Sequence, residues 1–139
     1  MKLVVDASVI VALLFADRPD EPDGIRAIKL FDAFKDGDVT LVQPVHWLAE
    51  VAAVSAMKEP HRAQESIRDL QALDIAIATS QQIYSSAIDI AIRRKAHLFD
   101  ALYHSVALTC GATLITADQR YFAAARAEGQ IKLLHSFTL

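Results

Sequence analysis

The chain is predicted to be an α/β protein, with a mainly parallel five-stranded sheet between two layers of helices. Short β-branched runs alternate with stretches of helical periodicity along nearly its whole length. Apolar residues make up 53% of the 139 residues, enough to cover both faces of a sheet. No repeat, low-complexity tract or linker divides the chain, so residues 1–139 are expected to form a single domain around one core.

The elements follow in order. "KLVVD" reads as the first strand, and Ser8 can cap the helix "VIVALLFA". "ADRPDEPDG", residues 16–24, carries two prolines, a glycine and four acids, the chemistry of a surface turn. "GIRAIKLFDAFKDG" is an amphipathic helix closed by Gly37, and "VTLVQ" is the second strand. Pro44 suits the first turn of a helix "PVHWLAEVAAVSAMK", and "AQESIRDLQAL" follows as another. "DIAIA" is the third strand and "SQQIYSSAIDIAIRRKA" a helix with a basic end. "DALYHSVALTC" is a helix ending at Gly111, "ATLIT" the fourth strand, "QRYFAAARAEG" a helix and "IKLL" the last strand.

Composition excludes some classes and leaves others open. The run "ASVIVALLFA" is too short to span a bilayer, and Asp6 interrupts what would otherwise resemble an export signal. A lone cysteine, Cys110, cannot form an internal disulfide, which agrees with a reducing compartment. The expectation is a cytoplasmic protein with no membrane partner. The formal net charge of −3 argues against simple electrostatic binding of nucleic acid. Without Asp6, Glu50, Asp100 and Asp118 that charge becomes +1, and divalent cations would reverse the local sign. Net charge therefore does not exclude nucleic acid.

Those four acids are the candidate site. Asp6 ends the first strand and Asp118 lies two residues past the fourth, where functional groups collect in open parallel sheets. Asp100 begins the helix before strand four. Glu50 lies one to two turns inside the helix after strand two, among Trp47, Leu48, Val51 and Val54. Each has an ordinary alternative: an Asx-turn or cap for Asp6, N-caps for Asp100 and Asp118, solvent for Glu50. Gathering them is costly, since two carboxylates at about 5 Å repel by roughly 3 kcal/mol at an effective dielectric near 20. Such a cluster makes sense with a hard cation. Oxygen ligands without a Cys or His set at zinc spacing point to Mg²⁺ or Mn²⁺.

"VVDASVIVALL", "WLAEV", "LFDALYHSVAL" and "TLITADQRYF", in that order, resemble the PIN-domain nucleases, in particular the small VapC-like toxins of toxin–antitoxin pairs. The likeness covers nearly the whole chain. It implies a three-layer fold with strand order 3-2-1-4-5, so that strands one and four are neighbours. It also implies a Mg²⁺- or Mn²⁺-dependent endoribonuclease, usually a homodimer, neutralised by a small antitoxin protein. Asp6, Glu50, Asp100 and Asp118 match the acidic quartet, implying catalytic and metal-binding roles. Ser8 and Thr116 match hydroxyls implied to hold carboxylates or a water. The chain departs from the family pattern at His104, more often aliphatic, and around Glu50, where "VHWLAEVAAVSAMK" is only loosely similar.

Weaker signals accompany the quartet. Arg93, Arg94 and Lys95, with Arg120, could contact RNA phosphates, although a basic helix end also complements the macrodipole. Tyr103, Tyr121 and Phe122 could stack bases or fill core. His104 lies four residues after Asp100, and His46 four before Glu50; packing is the ordinary role for each. Trp47 and the apolar first helix could line a groove for an antitoxin helix. Three rivals are weighed. A dehalogenase-type phosphatase needs a second aspartate where Ser8 stands. A receiver-like phospho-acceptor domain needs an aspartate after strand three, which "DIAIATS" lacks. An inactive PIN-fold binding module would keep the architecture without the chemistry.

Overall fold

The computed structural model describes residues 1–139. Five parallel strands form one sheet in the order β3-β2-β1-β4-β5. They are β1 (Lys2–Val5), β2 (Thr40–Gln43), β3 (Ala76–Ile77), β4 (Thr113–Thr116) and β5 (Ile131–Leu133). The helices are α1 (Ala7–Leu14), α2 (Gly24–Lys35), α3 (Trp47–Lys58), α4 (Ala63–Gln71), α5 (Gln81–Arg94), α6 (Leu98–Cys110) and α7 (Gln119–Ala125). Right-handed crossovers place α1 to α4 on one face and α5 to α7 on the other. No helix is long and apolar enough to cross a membrane.

The apolar strands are the centre of the core. Leu3, Val4, Val5, Leu114 and Ile115 are completely buried, as continuous apolar runs covered on both faces should be. Helix α6 packs over β1 and β4, and every residue from Ala101 to Ala107 is buried. Its end is set by Gly111, which takes the left-handed conformation (φ 65°) that closes helices. At the turn between α1 and α2, Gly24 allows a close crossing: a Cβ there would stand 2.7 Å from Ala16 Cα.

Three helix starts differ from the sequence reading. Asp6, not Ser8, caps the first helix, which begins at Ala7. Pro44 lies ahead of α3 rather than in its first turn, so Glu50 sits in that first turn instead of deeper in the helix. Helix α6 starts at Leu98 with His97 as its N-cap, so Asp100 is inside the first turn and is not a cap. The first two shifts bring Asp6 and Glu50 closer to helix N-termini, and the third sets Asp100 within the first turn of its helix.

Strand β2 ends in a way that composition does not announce. Pro44 has no N–H, so the ladder toward β1 cannot continue past Gln43. The buried Gln43 side chain takes over: its Oε1 accepts from Val5 N at 2.9 Å and its Nε2 donates to Val5 O at 2.7 Å. The strands part at their carboxyl ends while Val5, the residue before Asp6, stays fixed. Gln43→Met is expected to leave both Val5 groups without this partner and to lower stability by about 2–4 kcal/mol. Urea unfolding should show a lower midpoint with an unchanged m-value.

Candidate active site

The first acid is held by its neighbours across the β1–β4 seam. Asp6 N donates to Ile115 O at 3.2 Å, which ties the start of α1 to β4. The Asp6 Oδ1 accepts from Ser8 N at 2.9 Å and from the Ser8 hydroxyl, while Oδ2 accepts from the Thr116 hydroxyl. Both hydroxyls also work as acceptors. Ser8 Oγ takes Ala117 N and Thr116 Oγ1 takes Asp118 N, each at 2.9 Å. One hydrogen-bonded cluster thus links the ends of β1 and β4 and orients two acids. Burial pushes the Asp6 carboxyl up to about 6, against the lowering effect of the Ser8 and Thr116 hydrogen bonds, and the charge of Asp100 adds to the rise.

Asp100 is the hub of the other three. It is half-buried in the first turn of α6, and its side chain makes no hydrogen bond. Its carboxyl is raised first by burial, then by the charges of Glu50 and Asp118, with His97 and His46 pulling the other way. Glu50 accepts from the Tyr103 hydroxyl at 3.0 Å. Asp118 caps α7, where its Oδ1 accepts from Tyr121 N at 3.0 Å. The four acids therefore gather beyond the carboxyl ends of β1 and β4, each in the N-cap or first turn of a helix. Asp100 and Asp118 open onto a cleft of about 340 Å³ that Lys95, His97, Arg120 and Tyr121 also line.

The donors suit a hard cation. They are carboxylate oxygens, and Asp100 has no partner to give up. No three His, Cys, Asp or Glu side chains stand close enough to form a closed ligand set. A small divalent ion that keeps several of its waters needs only one or two direct carboxylates, with the rest bound through water. The open arrangement fits that kind of ion better than one demanding an all-protein cage.

The remaining candidates divide. Lys95 and Arg120 line the acidic cleft. Arg93 and Arg94 are engaged elsewhere, since both pair with Glu128 at 2.8 and 2.6 Å. Those hydrogen bonds, Arg93 first, hold the Glu128 carboxyl down at about 2 and fasten α5 to the turn after α7. His104 is completely buried, donates from Nε2 to Gly129 O at 2.7 Å and accepts at Nδ1 from the Tyr121 hydroxyl at 3.0 Å. Burial lowers its pKa and favours this neutral form. It ties Tyr121, early in α7, to Gly129 in the turn before β5, and through Tyr121 steadies Asp118. His46 donates from Nε2 to Phe99 O at 3.0 Å. Trp47 is buried, and α1 buries Val9, Ile10 and Ala12; an apolar groove runs between α3 and α4, along Ala52, Ala56 and Ile67. The supporting roles of Tyr103, Tyr121 and Gln43 were not assigned from sequence. The only available signal was a polar atom on a residue placed where core was expected.

The raised carboxyl of Asp6 makes a stability prediction. Its folded-state pKa lies above the ordinary 3.8, so the folded protein binds the extra proton between about pH 4 and 6. Stability from this group is full below that window and lost as pH rises through it, by about 3 kcal/mol. In metal-free buffer at pH 7.5, Asp6→Asn is expected to be more stable than wild type by about 1–3 kcal/mol. The gap should close below pH 4. Denaturant titrations at the two pH values check this; a variant equally weakened at both would contradict it.

Comparison with known proteins places the fold. A family profile described as "PIN domain" matches residues 3–128. No curated protein matches by sequence. Among solved structures, the fold is similar to a toxin–antitoxin complex from Klebsiella pneumoniae, with TM-score 0.70 and 20% identity, covering 97% of this chain and 99% of that one. It is similar to VapC20 of Mycobacterium tuberculosis, described as a Sarcin-Ricin loop cleaving toxin, with TM-score 0.67, 18% identity and coverage of 88% and 94%. It is also similar to VapBC-1 from nontypeable Haemophilus influenzae, with TM-score 0.67, 18% identity and coverage of 98% and 100%. At such identities the structures speak for the fold, and the profile, spanning most of the sequence, speaks for ancestry. This chain belongs to the PIN domain family.

Proposed function

We propose that this chain is a Mg²⁺- or Mn²⁺-dependent endoribonuclease and the toxin of a toxin–antitoxin pair. The observation that carries the reading is the meeting of Asp6, Glu50, Asp100 and Asp118 at one rim, with Asp100 destabilised by the charges of Glu50 and Asp118. Family membership supports it, as do similar structures described as toxins or toxin–antitoxin complexes. The strand order 3-2-1-4-5 differs from the 2-1-3-4-5 order of receiver-like domains, which removes the phospho-acceptor alternative. An inactive binding module would gain nothing from keeping four acids in mutual repulsion.

In this reading Asp100, Asp118 and Asp6 hold the cation, directly or through water, and Glu50 orients the attacking water. A cation held there would supply charge for the phosphate oxygens and would lower the pKa of a bound water. Ser8 and Thr116 fix the Asp6 carboxylate at the carboxyl end of β1. Tyr103 fixes one Glu50 oxygen and leaves the other to act on water. Lys95 and Arg120 attract the RNA backbone into the cleft. The partners are RNA, a cognate antitoxin and a second copy of the chain. An exposed apolar stripe on α5, formed by Tyr84, Ile88 and Ile92, supports a protein contact on that face.

Asp6→Asn and Asp100→Asn are each expected to lower kcat on RNA by about 100-fold or more with the fold intact. EDTA should stop wild-type cleavage, and Mg²⁺ or Mn²⁺ should restore it. Sequencing of RNA ends after induced expression reads the cut sites. A folded wild-type protein that leaves RNA intact with either ion would reject this function and favour the binding module.

A further inference from the structure

We infer that Phe99, backed by His46, is a stacking platform for one unpaired base of the RNA that crosses the carboxylates. The inference rests on the ribonuclease reading and adds how the substrate is recognised. Phe99 immediately precedes Asp100 in the first turn of α6 and is 60% exposed, the only phenylalanine among the large exposed apolar residues. Exposure there is not looseness. The Phe99 ring stacks on His46 with centroids 5.2 Å apart and planes inclined by 29°. His46 also donates to Phe99 O at 3.0 Å and meets Tyr103 edge-on at 4.8 Å. Tyr103 in turn donates to Glu50.

Three rings therefore run from a half-buried carboxylate contact to solvent. The last ring has one face against imidazole and the other open. A ring already fixed to the scaffold loses little freedom when a base lies on it. Its place suits a single strand. Lys95 and Arg120 stand on the α7 side of Asp100, in the cleft, while Phe99 and His46 stand on the α3 side. A chain drawn in by the cations and crossing the acids arrives at the open phenyl face. Unpaired bases can turn out onto such a face; bases inside a duplex cannot. The exposed stripe on α5 is mostly aliphatic, the chemistry of a protein contact and not of a base.

The test uses a single-stranded oligoribonucleotide that the wild-type protein cleaves. Phe99→Ala is expected to raise KM about tenfold with kcat within about twofold. Phe99→Trp should keep the wild-type KM, and Phe99→Leu, apolar without a flat face, should behave like Phe99→Ala. In the Asp6→Asn background, 2-aminopurine placed beside the cleavage position should be quenched on binding when Phe99 is present and not with Phe99→Ala. Wild-type cleavage with an unchanged KM in Phe99→Ala overturns the platform and leaves the ribonuclease standing. So does Phe99→Leu acting like wild type, or Phe99→Ala splitting a dimer at the same concentration. No RNA cleavage by wild type removes both readings together.

Discussion

The carboxylate of Asp6, held between the hydroxyls of Ser8 and Thr116, is the constraint on which the site depends. It exists only because β1 and β4 are neighbours, with Val5 opposite Ile115. The same hydroxyls accept from Ala117 N and Asp118 N, so the cluster that orients Asp6 also aims the chain toward Asp118. A buried acid that accepts three hydrogen bonds would ordinarily ionise with ease. Here burial outweighs them and the charge of Asp100 adds to it. Four helix N-termini point at the cluster, but each contributes only about 0.3–1 kcal/mol toward a nearby negative charge. One close carboxylate pair repels by roughly 3 kcal/mol. The dipoles soften the repulsion without cancelling it, and a cation is what the arrangement lacks charge for.

Buried polar groups fix the elements that carry Asp6, Glu50 and Asp118. Tyr103 is completely buried, yet its hydroxyl reaches Glu50 across from α6 to α3. His104 holds Tyr121 in the first turn of α7, and Tyr121 N donates to Asp118, so Asp118 caps a helix whose start is fixed from within. Gln43 closes the gap that Pro44 opens and holds Val5 beside Asp6. Each of these groups is satisfied inside the fold, which is what makes a buried polar network rigid rather than merely expensive. The function proposed for the site uses that rigidity: a bound ion would relieve the repulsion that Asp100 feels from Glu50 and Asp118.

The architecture was legible because its signals are local and strong. Continuous apolar runs such as "KLVV" and "TLIT" read as buried parallel strands, and Gly111 marked a helix end. The strand order came from family resemblance, since periodicity alone does not choose neighbours. Helix starts were less legible. Pro44 fits a helix's first turn and the turn before a helix equally well, and Asp6 and Ser8 are both good caps two residues apart. The positions of the four acids along the sequence could be read, but not the partners that hold them. Nothing in the local pattern of "DALYHSVAL" says that Tyr103 faces Glu50 or that His104 bridges to Gly129, because those contacts join residues 53 and 25 positions apart. The exposed ring of Phe99 was equally silent, since an apolar residue at a helix start reads as core.

Carbon-13 NMR titration of the Asp6 side-chain carboxyl, with and without Mg²⁺, tests most directly whether these acids are gathered for an ion. Without Mg²⁺ the Asp6 carbon should titrate near pH 6. With saturating Mg²⁺ its midpoint should fall by about one unit or more, as an opposite charge within reach of a carboxylate requires. A midpoint near the ordinary 3.8 in the absence of Mg²⁺, or one that Mg²⁺ leaves in place, would contradict a cation site at this rim.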